Sequence, residues 1–246
     1  MTVKQAIALH KAQCEKDAVY FVTNFCYIQH PIRKKIKFDL FDVQKEALED
    51  LQNYRYNIAL KSRQMGFSTL VAAYCLWMML FQSDSNILVI ATKLGVAKNL
   101  ITKIKEMYNL LPKWLQEETE EFNKTSIRLK NGSQVKAVGA TEDGGRSEAL
   151  TLLVIDEAAF VPFIDEIWTS AFSTLSTGGK AILLSTPNGV GNFFHQMWTK
   201  SIEGPSRKTR VVDDPYIVDG RKFYRYIGTG VNEFHPIFMH WSSHPE

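Results

Sequence analysis

The sequence predicts an α/β fold: a mostly parallel sheet covered by helices on both faces, with a β-hairpin insertion. Three observations carry this expectation. The runs NILVIAT (86–92), LTLLVIDEAAF (150–160) and KAILLSTPNG (180–189) open on near-continuous apolar stretches, as strands buried on both faces do. Segments with apolar side chains three and four residues apart precede and separate them, the rhythm of helices that lay one face on a sheet. TSIRLKNGSQVKAV (125–138) alternates apolar and polar residues on either side of Asn131-Gly132, a dipeptide that accepts the positive φ values of a type I′ hairpin turn.

The remaining elements follow in chain order. Residues 1–30 read as helical and then as aromatic and irregular, and PIRKKIK (31–37) reads as a solvated basic linker. In 42–52, Val43, Ala47, Leu48 and Leu51 mark one face of an amphipathic helix with Asp42 as its cap. YNIAL (56–60) is strand-like, a helix runs from 70 to about 82, and another spans 95–111 until Pro112 stops it. The tail is irregular and aromatic and closes on a strand-like PIFMHW. These readings divide the chain into a lead-in (1–37), a core (38–212) and an irregular extension (213–246). A strand so near the end implies that the natural chain continues.

Composition sets bounds. With 246 residues, 45% hydrophobic and 22% charged, the chain has material for a packed core. A net charge of +3 permits a nucleic-acid partner without requiring one. Cys14, Cys26 and Cys75 have no metal-like spacing and read as reduced thiols of an intracellular protein. The longest apolar stretch, 70–81, is short of the ~20 residues of a membrane span, and the charged N-terminus is no secretion leader.

The chemistry gathers at strand ends. Lys61-Ser62-Arg63-Gln64-Met65-Gly66-Phe67-Ser68-Thr69 lies between a strand and a helix, the place of a phosphate-binding loop of the pattern G-x-x-x-x-G-K-[ST]. Gly66 lets backbone approach a phosphate, the N–H groups of the helix start cradle it, and Ser68 falls where a hydroxyl joins a Mg²⁺ shell. Two positions depart: Lys61 replaces the first glycine and Phe67 replaces the lysine. A cation can reach the phosphates from another point on the loop, and Lys61 and Arg63 are the candidates.

Asp156 and Glu157 end a buried strand. Adjacent carboxylates there repel unless a cation lies between them, which suits Asp156 to Mg²⁺ and Glu157 to activating water. Ser185-Thr186-Pro187-Asn188 end the next buried strand and offer short polar groups to a γ-phosphate or its water. Gln44 has the donor and acceptor that fit an adenine edge together, and Phe41 is either a stacking partner or core. Arg146, beside Gly144-Gly145, is a cation for transition-state charge, in cis or from a neighbouring subunit, or a plain surface arginine. Lys93, Lys98, Lys103 and Lys105 form either a cluster for DNA backbone or a solvated helix face.

In this order the motifs resemble the ATPase domain of the large terminase subunit of tailed bacteriophages. The matching stretches are FDVQKEAL, KSRQMGFST, NILVIATKLGVAKNLI, RLKNGSQVKA, GGRSEALTLLVIDEAAF and LLSTPNGVGNFFHQMW, within about 38–200. The resemblance implies a P-loop NTPase of the ASCE type that hydrolyses ATP with Mg²⁺ and drives double-stranded DNA, without sequence preference, into a procapsid. It implies a homo-oligomeric ring, commonly a pentamer, docked on the portal protein and served by a small terminase subunit, in the host cytoplasm and transiently on the procapsid. By position it assigns adenine to Gln44, phosphates and Mg²⁺ to Ser62 through Thr69, Mg²⁺ to Asp156, water activation to Glu157, coupling to Ser185 through Asn188 and a trans finger to Arg146. Full-length members add a nuclease domain that nothing here supplies, so DNA cleavage is not expected of this chain. The competing readings are a helicase-like translocase of the same sheet class and a nucleotide-binding module without turnover.

Overall fold

A computed structural model describes residues 2–30, 32–141, 149–175, 178–203, 210–211, 216–218, 221–223 and 225–244. The chain opens with α1 (Val3–Lys16), α2 (Ala18–Phe25) and a two-stranded hairpin, β1 (Tyr27–His30) and β2 (Lys34–Lys37). Next come α3 (Asp42–Asn53), β3 (Tyr56–Lys61), α4 (Phe67–Phe81), β4 (Asn86–Ala91) and α5 (Leu94–Leu110). Three short strands follow, β5 (Thr119–Phe122), β6 (Ser126–Leu129) and β7 (Gln134–Gly139), and then β8 (Leu152–Asp156), α6 (Ile164–Thr174), β9 (Lys180–Ser185) and α7 (Phe193–Ile202). The last part holds β10 (Arg210–Val211), β11 (Tyr216–Val218), β12 (Arg221–Phe223), β13 (Tyr226–Ile227) and β14 (Phe234–Met239).

Eight strands form the central sheet in the order β14-β3-β9-β8-β4-β7-β6-β5. Every neighbouring pair from β14 to β7 is parallel; β6 and β5 close the far edge antiparallel. The apolar runs have their physical reason in this arrangement. Along β8, Leu152 and Val154 enter one core while Leu153 and Ile155 enter the other, and β9 divides Ile182 and Leu184 from Ala181 and Leu183 in the same way. Helices α1 to α5 cover the first face, and α6 and α7 the second. α4 is buried nearly all round, from Phe67 to Met79, which explains the long apolar stretch at 70–81 as an internal helix. Among the described residues no helix is long and apolar enough to cross a membrane.

Two expectations need correction, the turn type and the basic run. The turn after β6 is not type I′. Leu129 N–H donates to the Ser133 carbonyl (2.9 Å), which leaves a three-residue loop in which only Gly132 has positive φ (+85°). Asn131 is otherwise occupied, donating from Nδ2 to Met79 O (2.8 Å), and a Cβ at Gly132 would lie 2.0 Å from Asp84 Oδ1. The hairpin itself is present, β6 pairing antiparallel with β7, and β7 joins it to the sheet as a parallel neighbour of β4. The basic run at 31–37 is not simply a linker: it contains β2, which pairs with β1 through a bend that puts Lys34 at φ +60°. The strand expected at the close of the tail is present as β14, which pairs with β3 from Phe234↔Tyr56 to Met239↔Lys61. It is tied to α3 by Asp50, which takes Arg225 Nη2 at 2.6 Å and faces His235 Nε2 at 3.2 Å.

Cys14, Cys26 and Cys75 are free and fully buried. Burial pushes the Cys14 and Cys75 thiols up to about 12 and Cys26 higher still, so almost none is thiolate at neutral pH. A thiol-reactive probe is expected to label none of the three in the folded protein within the time that labels all three in denaturant. Fast labelling of any of them in the folded protein contradicts this packing.

Candidate active site

The C-terminal ends of the parallel strands face one edge, where open α/β sheets bind ligands. β3 delivers Lys61 there, β8 Asp156 and β9 Ser185, with β9 standing between the other two. The loop after β3 turns sharply: Gln64 has φ +64° and Gly66 has φ +68°. Gly66 opens α4, and its carbonyl accepts from Thr69 N–H (3.0 Å) and Leu70 N–H (2.9 Å). A Cβ on Gly66 would sit 2.8 Å from Gln44 Nε2, so glycine is needed both for conformation and for space.

The end of β3 separates the two candidate cations. Lys61, still in the sheet and 9% exposed at its side chain, reaches Glu157 Oε1 at 3.1 Å. Arg63 lies past the end of the strand, is exposed, and is not among the residues that line the cavity. Phe67 is 1% exposed and packs in the core of the first face, so an aromatic side chain stands where the pattern has lysine.

Glu157 sits in the left-handed region (φ +53°, ψ +44°), uncommon for a residue with a Cβ. It is braced from three sides. Lys61 donates to Oε1; Thr186 Oγ1 donates to Oε2 at 3.3 Å; and Ala159 N–H, two residues on, donates to Ser185 Oγ at 3.1 Å. Asn188 Nδ2 donates to Ala159 O (3.0 Å), and Pro187 is exposed beside it. The Ser185–Asn188 turn thus holds the acidic turn in place.

Asp156 accepts from Glu157 N–H (2.9 Å) and, at a limiting 3.5 Å, from Ser68 Oγ. Burial raises its carboxyl above the usual carboxylate range; the Lys61 ammonium opposes this and the Glu157 charge adds to it. The folded state therefore binds a proton here more readily than the unfolded chain does. This group's contribution to stability falls as pH rises between the ordinary and the raised pKa. Asp156→Asn keeps the acceptor and drops the charge, so without nucleotide it is expected to raise the Tm. A lowered Tm in a thermal melt contradicts this account.

A cavity of about 1000 Å³ runs from Asp156, Lys61 and Ser68 past Gly66 and Thr69 to an apolar wall that includes Ile28, Ile36, Phe38, Phe41 and Leu100. Ser62, Gln64, Met65 and Phe67 line it as well, and Glu157 stands just beyond its lining, linked through Lys61. Gln44 lines the cavity, is 2% exposed, and has its amide engaged: Phe41 N–H donates to Oε1 (3.1 Å) and Nε2 donates to Met65 O (3.1 Å). It ties α3 to the loop after β3, with one amide hydrogen and one lone pair left over. Phe41 packs edge-on against His244 at 4.8 Å between centroids. Arg146 lies outside the described residues.

Sequence reasoning missed three contributors. The β1–β2 hairpin walls the cavity with Ile28 and Ile36, and the tail returns His244 to it. Lys103, grouped from sequence with a surface cluster, lines the cavity and donates to Thr69 Oγ1 at 2.8 Å. Its helical neighbours Leu100 and Ile104 are buried, which places it at the margin of the packed face. Lys105 diverges from it and lies over the Phe122 ring at 4.4 Å.

The donor set fits Mg²⁺. Among the described residues no three carboxylate, histidine or cysteine side chains gather as a metal cage, whereas one buried carboxylate beside one hydroxyl is how Mg²⁺ is held when phosphates and water complete its shell.

The model of the family described as terminase large subunit, T4likevirus-type, N-terminal, matches residues 58–232. The probable terminase large subunit gp28 of Escherichia phage Mu is 33% identical over 117 residues, covering 46% of this chain and 21% of gp28. The chain thus spans about a fifth of that relative's length. The large terminase ATPase domain of Thermus phage P74-26 superposes with a TM-score of 0.60 at 18% identity, over 82% of this chain and 81% of that one. A large terminase from a thermophilic bacteriophage, in complex with ADP, gives 0.51 at 18% identity, over 64% of this chain and 41% of that one. The fold is that of a P-loop NTPase, and the chain belongs to the large terminase subunit family, within its N-terminal region.

Proposed function

We propose that this chain is an ATP-hydrolysing motor domain that uses Mg²⁺-bound ATP to drive double-stranded DNA into a procapsid. One observation carries the reading: Lys61, Glu157 and Thr186 form a single hydrogen-bonded constellation at the rim of a cavity floored by the Gly66 turn, with Ser68 facing Asp156. Family membership and the ADP bound to the thermophilic-phage terminase support it.

The chain's own groups account for the chemistry. Backbone N–H groups at the start of α4 bind phosphate oxygens. Ser68 Oγ and Asp156 would hold Mg²⁺, which when bound supplies charge neutralisation at the phosphates. Phosphate reaching Lys61 competes with Glu157 for the ammonium. Once released, the carboxylate, still held by Thr186, accepts a proton from the attacking water. Ser185 and Asn188, bonded to the same turn, carry its displacement into β9. The wider setting belongs to the same proposal: a homo-oligomeric ring on a portal with a small terminase subunit, host cytoplasm, and Arg146 acting on a neighbour's nucleotide.

The test is phosphate release from ATP by the purified chain, with and without double-stranded DNA, beside calorimetric titration of ADP. Binding and slow, Mg²⁺-dependent release are expected. Absence of any nucleotide heat from folded protein overturns the reading.

A further inference from the structure

We propose that Lys103 of α5 is a phosphate-binding residue of this cavity, a cation supplied from outside the loop where position 67 is aromatic. The proposal rests on the reading of the cavity as a nucleotide site. Lys103 Nζ lies 2.8 Å from Thr69 Oγ1, at the first turn of α4. It lines the cavity, is half-buried, and has no ion-pair partner among the described residues. A half-buried ammonium with three donors and only one neutral hydroxyl acceptor is under-compensated. Of the other cations about the cavity, Lys61 is already paired with Glu157, whereas Arg33 and Lys37 line it from the β1–β2 hairpin and not from the first turn of α4.

Direction follows from the helix. Ser68 and Thr69 are successive residues on the first turn of α4, so their side chains diverge by about 100°. Ser68 faces Asp156 and Thr69 faces Lys103. A phosphate chain lying over Gly66 therefore has the carboxylates and Lys61 on one side and Lys103 on the other. Lys61 marks the end where water attacks, and Lys103 serves the phosphates that stay with the nucleoside. Its loss weakens ADP as well as ATP, since both carry those groups.

The experiment is calorimetric titration of ADP into the full chain and its variants, with thermal melts to verify folding. Lys103→Met is expected to weaken ADP by about tenfold or more, and Lys103→Arg to restore most of that loss. Lys113→Met, which removes the same charge from an exposed position beyond α5, is expected to leave ADP affinity unchanged. If wild type binds ADP and Lys103→Met binds within about twofold of it, Lys103 has no phosphate role and the nucleotide reading stands. If Lys103→Arg is as weak as Lys103→Met in folded protein, the lysine acts through packing and the proposal fails. If wild type itself binds no ADP, both readings fall together.

Discussion

Glu157→Gln is expected to retain nucleotide binding and to lose about 10²–10⁴ in the rate of phosphate release, the range associated with a positioned general base. The amide is nearly isosteric, so Thr186 Oγ1 can still donate to the side-chain oxygen that replaces Oε2, while the group no longer accepts water's proton. Stability should fall somewhat, because the Lys61 side chain is 9% exposed and loses its charged partner, so thermal melts accompany the kinetics. Single-turnover phosphate release at saturating ATP is the measurement. A variant that releases phosphate at the wild-type rate means that Glu157 is only a brace for the turn.

Lys61→Met is expected to fold and to lose about 10²–10³ in turnover, the scale of removing one preorganised donor from developing transition-state charge. Methionine fills a similar volume at a position that is already 9% exposed at the side chain. It leaves Glu157 without its cation, but that carboxylate can rehydrate. Arg63→Met is the comparison. Arg63 is exposed and outside the cavity lining, so its loss should change turnover by less than about threefold, as surface substitutions generally do. The reverse order, with Arg63→Met the more damaging, removes Lys61 from the catalytic role.

The parts of the fold that sequence discloses are those where a residue's surroundings repeat. β4, β8 and β9 lie between two cores, so the side chains along them are nearly all apolar and the pattern needs no tertiary knowledge. Asp156 and Glu157 are legible for the same reason, as the first charges after an apolar run. The choice between Lys61 and Arg63 is different in kind. Both are cations two residues apart, and what separates them is where β3 ends: Lys61 is its last residue and buried, while Arg63 lies past it and is exposed. The β1–β2 hairpin was hidden because both strands are short and half or more exposed and the second is lysine-rich; the packing of this segment toward α5 and the cavity leaves little trace in its own residues. Gln44 shows a further limit. Its type suits an adenine edge, but its carbonyl accepts from Phe41 N–H and its amide donates to Met65 O, and those partners are set by how α3 meets the loop.

The placement of β14 has a mechanical consequence. Ser62 N–H donates to Met239 O at 2.9 Å, directly past the last rung of a ladder that runs in parallel register from Phe234↔Tyr56 to Met239↔Lys61. Tension applied along the backbone after Met239 must shear that whole ladder rather than peel it rung by rung. The load arrives first at the residue that begins the phosphate loop. Any shift of the loop is likewise delivered to the same backbone, so the tail is coupled to the loop as a stiff linkage rather than hung from it as a slack tether.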